Sequence, residues 1–245
     1  MDRKQIPLLS LADSCRVFGE ATGGTMEAEK ELIIYRNPSV FHGRTIIWES
    51  CDLEKTVNDL LKNNPTPMLS FTEGYVDDDH DEIMKKAGYM PLVAQHGMIF
   101  DMDKAFDESI CPFIELVNDE SIAEWKDTVE KGFGPQVPRE DIVFDTFNSC
   151  DKDKVKMYSY VKDGRIVSAA ILILEPGLSG IHNVATLPEE TRKGYASMII
   201  TRILQDVKKA GMDQVSLQAS DTGRLVYEKL GFEKVSMIRT YIHVR

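Results

Sequence analysis

The chain has 245 residues, of which 42% are hydrophobic and 28% charged, and this is sufficient for one large or two modest globular domains. Wholesale disorder is excluded, because a chain of this composition can bury a sizeable core. The formal net charge of −11 would repel a polyanion, so nucleic acid is not an expected partner, whereas a cationic small molecule or a basic peptide is compatible with the charge.

The first half of the chain alternates helix and strand patterns, which is typical of an α/β fold. It opens with a predicted helix that has one apolar face. Gly19, Gly23 and Gly24 end this helix. The predicted elements are, in order, a helix over residues 6–22, strands over 31–36 and 44–49, a helix over 53–62, a strand over 68–72, a helix over 78–86 and a strand over 93–100. The polar residues 101–110 are predicted to form a linker, so the boundary between the two halves falls near residue 106.

The second half begins with a strand and two helices and continues as a hairpin, for whose two-residue turn Asp163-Gly164 is a strong signal. Its later elements run parallel in order to those of the first half. The predicted elements are, in order, a strand over residues 113–117, helices over 121–133 and 138–147, strands over 155–161, 165–174 and 180–186, a helix over the apolar stripe at 196–207, a strand over 214–219, a helix over 222–230 and a strand over 234–244.

The turn before the helix at 196–207 has the composition of an anion site. Gly194 at the helix start allows backbone N–H groups to converge on an anion such as a pyrophosphate, and Arg192 and Lys193 add positive charge. A glycine near a helix start is more often only a turn, so this pattern alone is weak. The sequence matches neither G-x-G-x-x-G nor G-x-x-x-x-G-K-[ST], which disfavours a dinucleotide-binding fold and a P-loop.

Two motifs resemble a known family. NVATLPEETRKGYA at residues 183–196 resembles the strand and the Q/R-x-x-G-x-G/A turn of the GNAT superfamily of acetyl-CoA-dependent N-acetyltransferases, and LVYEKLGF at 225–232 resembles the late helix of that family. The resemblance covers roughly the last 135 residues. Thr191 departs from the pattern, since it stands where the family usually has Gln or Arg.

The resemblance implies an α/β (α+β) fold with a mixed, mostly antiparallel GNAT-type sheet flanked by helices. The first half echoes the late motif at Ala87-Gly88-Tyr89 but has SCDLEK, without a glycine, where a phosphate turn would stand. We therefore expect a tandem arrangement, with a degenerate GNAT-like domain at residues 1–106 that binds no cofactor and a catalytic domain at 107–245. The alternative is an unrelated α+β first half.

The resemblance also implies the site residues. The pantetheine arm of acetyl-CoA would bond to the main chain of Val184, Ala185 and Thr186, as an added strand pairs with a sheet edge. The further residues expected around the cofactor, at the pyrophosphate turn and at one strand end, are Arg192, Lys193, Gly194, Tyr195, Ala196, Ser197 and Ser220. Tyr227 is the expected catalytic residue, because a phenol beside the departing sulfur can donate a proton to it. Its alternative role is core packing.

A general base is also needed, since an alkylamine is mostly protonated near neutral pH. His182, Glu175, Glu115 and Asp221 are candidates that the sequence does not separate, and a chain of water molecules to solvent would also suffice. Ser220 has the alternative role of capping the helix that follows it.

No metal is expected. The cysteines, Cys15, Cys51, Cys111 and Cys150, are scattered without a C-x-x-C pair, and no histidines stand at zinc spacing. The acidic run at 77–82 is better explained as charge at a helix N-terminus than as a metal site. The N-terminal residues show neither a signal peptide nor a membrane span, so a cytoplasmic location without membrane association is expected.

The function implied by the resemblance is transfer of acetyl from the co-substrate acetyl-CoA to a primary amine of a small molecule or peptide, by direct attack. The first half would wall the acceptor pocket or mediate self-association as a homodimer. Two alternatives stay open, a sensor that binds an acyl-CoA without turnover and a tandem interaction module that binds no CoA.

Overall fold

A computed structural model describes residues 1–37, 43–63, 65–109, 111–134 and 142–244. Over these ranges the chain forms seven helices and eleven strands. The helices are α1 Ile6–Glu20, α2 Leu53–Lys62, α3 His80–Lys86, α4 Ile122–Phe133, α5 Ile142–Ser149, α6 Tyr195–Lys209 and α7 Asp221–Lys229. The strands are β1 Thr25–Glu29, β2 Leu32–Arg36, β3 Arg44–Ile47, β4 Met68–Thr72, β5 Tyr89–Asp101, β6 Ile114–Leu116, β7 Val155–Lys162, β8 Arg165–Ile173, β9 Gly180–Thr186, β10 Gln214–Ala219 and β11 Glu233–His243.

All of these strands join one sheet in the order β1-β2-β3-β4-β11-β5-β10-β9-β8-β7-β6. The neighbours are antiparallel except for the pairs β3–β4 and β9–β10, which are parallel. Each parallel pair is connected through a helix, α2 in the first case and α6 in the second, as a parallel connection requires. The expected α/β class and the mixed, mostly antiparallel sheet with flanking helices are confirmed.

Helices cover both faces of the sheet, and adjacent strand residues show which helix lies on which face. Ile46 packs in a cluster with Leu8 of α1, whereas its neighbour Ile47 packs with Leu53 of α2. In the second half Ile171 packs with α4 and Leu172 with α6. Because successive strand residues point to opposite faces, α1, α4 and α5 form one layer and α2, α3, α6 and α7 form the other.

The two halves of the chain exchange strands at the centre of the sheet. β5, from the first half, pairs with β10, and β11, the last strand, pairs with β4. β5 and β11 also pair with each other over most of their length. The last strand therefore lies between two strands of the first 101 residues, and the two halves share one continuous sheet.

The order β3-α2-β4-α3-β5 in the first half matches the order β9-α6-β10-α7-β11 in the second. The helix before each exchanged strand ends in the same way. Gly88 and Gly231 have φ angles of 79° and 98°, and the N–H of each donates to a carbonyl three residues earlier. These parallels agree with the expected tandem arrangement, which stays a prediction.

Most predicted elements are present with ends shifted by a few residues. β5 is longer than predicted, and β1 was not predicted at all, because its side chains are all exposed and its composition is polar. The predicted helix at 138–147 is represented by α5, and its residues 138–141 lie outside the described ranges. The turn at Asp163-Gly164 is confirmed, with φ angles of 52° and 74°, the left-handed values of a type I′ hairpin.

Candidate active site

β9 and β10 separate soon after they begin to pair. Their register includes only the pairs Gly180–Ser216 and Ile181–Leu217, so the rest of β9 has no hydrogen-bonded partner strand on the β10 side among the strands that the structure describes. On the other side, the pairing of β9 with β8 is interrupted between His182 and Ala185. Asn183 has a left-handed φ of 52° at this irregularity, which has the form of a β-bulge and bends the strand away from its neighbour.

A cavity of about 400 Å³ lies at this separation. The described residues that line it come from both halves of the chain. They are Leu11, Ser14, Phe18, Arg44, Gln95, Phe133, Ile181, His182, Asn183, Val184, Leu217, Gln218, Ala219, Ser220, Gly223 and Tyr227. The lining includes α1 on one face of the sheet and α7 on the other, so the cavity passes through the sheet where β9 and β10 diverge.

The glycine turn lies beyond the end of β9. Gly194 is the residue before α6, with φ 88°, and Arg192 is also left-handed, with φ 62°. No side chain caps α6, so its first N–H groups have no intrahelical acceptor and carry the positive end of the helix dipole. A Cβ at Gly194 would meet no atom within 4 Å. The glycine is therefore required by the backbone angle rather than by packing, and the space before the helix is open.

Positively charged side chains surround the turn, and two of them already form ion pairs with a carboxylate. Lys193 Nζ lies 2.9 Å from Glu190 Oε2, and Lys162 Nζ lies 3.2 Å from the same carboxylate. These two lysines lower the pKa of Glu190. Arg192 is exposed and makes no ion pair with any described residue. The hydroxyl of Thr191 donates to the carbonyl of Pro188 at 3.0 Å, so it serves the turn itself.

Tyr227 lies in α7 and is buried, with the residue 9% exposed. One edge of the ring packs against Phe232, with centroids 5.8 Å apart, and the residue lines the cavity. Burial raises the pKa of Tyr227, so the phenol keeps its proton at neutral pH. A protonated hydroxyl beside an enclosed cavity can act as a hydrogen-bond donor or as a general acid.

Comparisons with known proteins agree with this geometry of the cavity and the turn. A family model described as "Acetyltransferase (GNAT) domain" matches residues 117–242, just over half of the chain. The chain belongs to the GNAT acetyltransferase family. A relative in Bacillus subtilis (strain 168), "Uncharacterized N-acetyltransferase CgeE", is 37% identical over 65 residues, 26% of this chain. The match spans 25% of that protein's length.

Solved structures share the fold over most of the chain. A GCN5-related N-acetyltransferase from Kribbella flavida superposes with a TM-score of 0.69 at 12% identity, covering 96% of this chain and 95% of that one. A functionally unknown conserved protein from Staphylococcus epidermidis ATCC 12228 gives 0.66 at 15% identity, covering 91% and 94%. A GCN5-related N-acetyltransferase-like protein from Streptococcus suis 89/1591 gives 0.57 at 14%, covering 96% and 99%. At these identities the likeness shows the fold.

The residues that the sequence predicts to contact the cofactor lie along β9, the turn and the start of α6. Val184 lines the cavity, whereas the side chain of Ala185 packs on the opposite side with α4 and α5. Thr186 Oγ1 lies 2.8 Å from the hydroxyl of Ser168. Tyr195 stacks on Tyr160 with ring centroids 4.4 Å apart, which fixes the first turn of α6.

Ser220 has the capping role that the sequence left as its alternative, since its Oγ accepts from the N–H of Gly223 at 3.1 Å. It also lines the cavity. Ala196 and Ser197 lie in the first turn of α6, partly exposed. For all of these residues a contact with the cofactor stays a prediction.

The structure separates the four base candidates. His182 is the one that lines the cavity among the described residues. Glu115 lies on the edge strand β6 and Glu175 in the loop after β8, whereas Asp221 receives a 2.7 Å hydrogen bond from His96. His182 is buried, its Nε2 has no hydrogen-bond partner within the described ranges, and burial lowers its pKa to about 4. It is therefore a neutral acceptor at physiological pH.

The contribution of the first half to the cavity wall was not predicted from the sequence. Leu11, Ser14 and Phe18 of α1, Arg44 of β3 and Gln95 of β5 all line it. Nothing in their local sequence indicates this, because the contacts depend on how α1 crosses the sheet.

The described residues contain neither a membrane-spanning helix nor a metal-binding cluster. None of the helices there combines the length and the apolar composition that crossing a bilayer requires. Within the same part of the chain, no group of three or more His, Cys, Asp or Glu side chains is arranged to hold a metal ion.

Proposed function

We propose that this protein transfers the acetyl group of acetyl-CoA to a primary amine. The observation that carries the proposal is the cavity at the separation of β9 and β10, with the buried phenol of Tyr227 in its wall. An extended ligand can enter between the two strands, because the main chain of β9 beyond Ile181 has no partner strand there. The family assignment supports acyl transfer, and the acetyl donor and the amine acceptor are our proposals.

The chain offers two groups of contacts to acetyl-CoA. The main chain of residues 184–186 would pair with the pantetheine arm. The N–H groups at the start of α6 would receive the pyrophosphate, assisted by Arg192 and by the dipole of a 15-residue helix. Lys193 would stabilise the bound pyrophosphate less than an unpaired lysine would, because Glu190 already pairs with it. The open space at Gly194 supports this arrangement, since a side chain there would project towards the anion.

The reaction would proceed by direct attack. The neutral amine forms a C–N bond to the thioester carbonyl carbon, the C–S bond breaks, and the sulfur leaves with the electron pair. Tyr227 would donate its proton to that sulfur, and solvent would return a proton to the phenolate. Because its pKa is raised, the hydroxyl of Tyr227 is protonated before the reaction, and its hydrogen bond to the sulfur strengthens as negative charge develops there.

The amine must lose one proton before the attack and one after it. His182 would accept a hydrogen bond from the amine through its unpartnered Nε2. A histidine whose pKa is about 4 is too weak a base to hold the proton of an alkylammonium group, so the first proton would pass to solvent. We therefore propose that His182 orients the amine and that water removes its proton.

We also propose a division of labour between the halves. Residues 107–245 would bind the cofactor, and residues 1–106, as a degenerate GNAT-like unit, would wall the acceptor side. The contribution of α1 and β3 to the cavity supports this division. A cytoplasmic location and a homodimer are further proposals. The acidic net charge suits a small-molecule or peptide amine rather than nucleic acid.

A thiol-trapping assay for free CoA tests the proposal. Purified protein with acetyl-CoA should release CoA in proportion to added amine for at least one amine of a broad panel. Binding of acetyl-CoA by calorimetry without release for any amine would favour the sensor alternative. Absence of both binding and release would favour an interaction module.

A further inference from the structure

The cavity contains a cation that has no acidic partner among the residues that the structure describes. Arg44 Nη1 donates to the hydroxyl of Ser70 at 2.9 Å, and Nη2 contacts the sulfur of Met68 at 3.5 Å. Arg44 Nε is buried and has no hydrogen-bond partner in the described part of the chain. Among the described residues no carboxylate lies within 4.0 Å of this guanidinium. Elsewhere in the fold, basic side chains form ion pairs with Asp or Glu.

An unpaired guanidinium in a partly buried position is unfavourable unless something compensates for its lost hydration. The chain has 40 acidic residues against 29 basic ones, so the absence of a carboxylate beside Arg44 is not explained by scarcity. A guanidinium has five N–H donors in a planar fork that matches the oxygens of a carboxylate or phosphate. Arg44 uses at most two of them within the described structure, and one of those contacts is to a weakly accepting sulfur.

The strand order places Arg44 away from the separation of β9 and β10. Ser70, its hydrogen-bond partner on β4, is bonded in turn to Thr240 of β11 at 2.9 Å, so the guanidinium lies near the β4–β11 boundary. β5 alone stands between β11 and β10. From that boundary to the separation of β9 and β10 the path crosses three strand spacings, about 14 Å, and Gln95 and Gln218 line the cavity along this path.

We propose that the acceptor is a small amine that also carries an anionic group, a carboxylate or a phosphate, which Arg44 binds. This inference rests on the proposed function. The amine would lie at the separation of β9 and β10, near His182, and the anion several bonds away at Arg44. A cavity of about 400 Å³ is at the small end of ligand pockets, which span about 300–1,000 Å³, and this favours a free small molecule over a protein side chain.

Matched pairs of amines test the proposal. Each pair differs in the anion alone, and each chain is long enough to span the cavity: 8-aminooctanoate with octylamine, 10-aminodecanoate with decylamine, and 6-aminohexyl phosphate with 6-aminohexanol. The carboxylate pairs and the phosphate pair distinguish the two sources of the anion. Wild-type protein should give a higher kcat/KM for the anionic member of at least one pair, by about 10- to 100-fold, the range expected for a charged hydrogen bond.

Variants of Arg44 connect this preference to the residue. Arg44→Gln should remove most of the preference and leave the rate for the neutral amine within about threefold, and Arg44→Lys should restore part of it, because charge returns without the fork. Arg165→Gln removes an exposed arginine that pairs with Glu189, outside the cavity, and serves as the matched control. Melting temperature and acetyl-CoA affinity are measured for each variant.

The outcomes separate this inference from the proposed function. Neutral amines acetylated as well as their anionic partners would overturn the role of Arg44 and leave acetyl transfer standing. Equal losses for both members of a pair in Arg44→Gln, together with a lower melting temperature, would show that Arg44 only supports the fold. Acetyl-CoA bound without acetylation of any amine would overturn the proposed function itself.

Discussion

Protonation of His182 should make stability depend on pH in a window that the structure defines. The ring lies over Gly180, where a Cβ would come within 2.6 Å of His182 Nε2 and 2.0 Å of the hydroxyl of Ser10. Burial removes the hydration of the imidazole and lowers its pKa from 6.5 to about 4, although a hydrogen bond with Gln218 offsets part of the shift. At pH values between these two pKa values, His182 therefore binds a proton more tightly in the unfolded chain than in the folded chain.

The sign and the size of the pH effect on stability follow from the difference between the folded and unfolded pKa values of His182. Because the unfolded state takes up the proton first, the free energy of unfolding falls as pH decreases from about 6.5 to about 4. The full difference of roughly 2.5 pH units is worth about 3 kcal/mol. Above about pH 7 His182 is neutral in both states and contributes no pH dependence.

The assay is urea unfolding of wild type and His182→Gln at several pH values between about 7.5 and 4.5. Acid titration of carboxylates affects both proteins equally and cancels in the difference. Wild type should lose about 2–3 kcal/mol more than His182→Gln over this range. Ile203→Val, which removes one methyl group from a fully buried site on α6, is the control, because its effect should be the same at every pH. A wild-type minus His182→Gln difference that does not change with pH would refute the account of a desolvated, neutral histidine.

Three further predictions concern the turn, the phenol and the shared sheet. Gly194→Asp should weaken acetyl-CoA binding at least about tenfold by calorimetry, whereas Gly177→Asp, at a similarly open left-handed position with φ 76°, should leave it unchanged; equal affinities in both variants would contradict the phosphate role. Tyr227→Phe keeps the ring packing and should lower kcat about 10²-fold with acetyl-CoA affinity retained, and a normal kcat where chemistry limits the rate would show that the tyrosine only packs. A chain truncated to residues 107–245 should fail to fold by circular dichroism, because β11 pairs with β4 and β5; a cooperative thermal transition in it would be the contrary result.

The parts of the site that depend on local sequence could be predicted. The stripe of α6, the glycine before it and the hairpin turn at Asp163-Gly164 are each encoded within a few residues, and the structure has the corresponding elements. The strand β9 and the late helix with Tyr227 were predicted in the same way, from periodicity and from motif. Their side chains meet in one cavity.

The rest depends on contacts between distant parts of the chain. The exchange of β5 and β11 brings residues more than 130 positions apart into register, and no local pattern encodes which of two similar edges a strand joins. Arg44 was predicted only as part of a strand, because its position in the cavity wall depends on the order in which distant strands join the sheet. β1 was missed since its pairing is through the backbone, with side chains that all face solvent.

The central claim is direct transfer of acetyl from acetyl-CoA to an amine in the cavity between β9 and β10. The most direct measurement uses acetyl-CoA labelled in the acetyl group, an accepted amine and mass spectrometry of both product and protein. The account predicts one labelled acetyl on the amine for each CoA released, no label on the protein, and a much slower rate in Tyr227→Phe. Label retained on a protein side chain during turnover, or CoA release without acetylated amine, would contradict it.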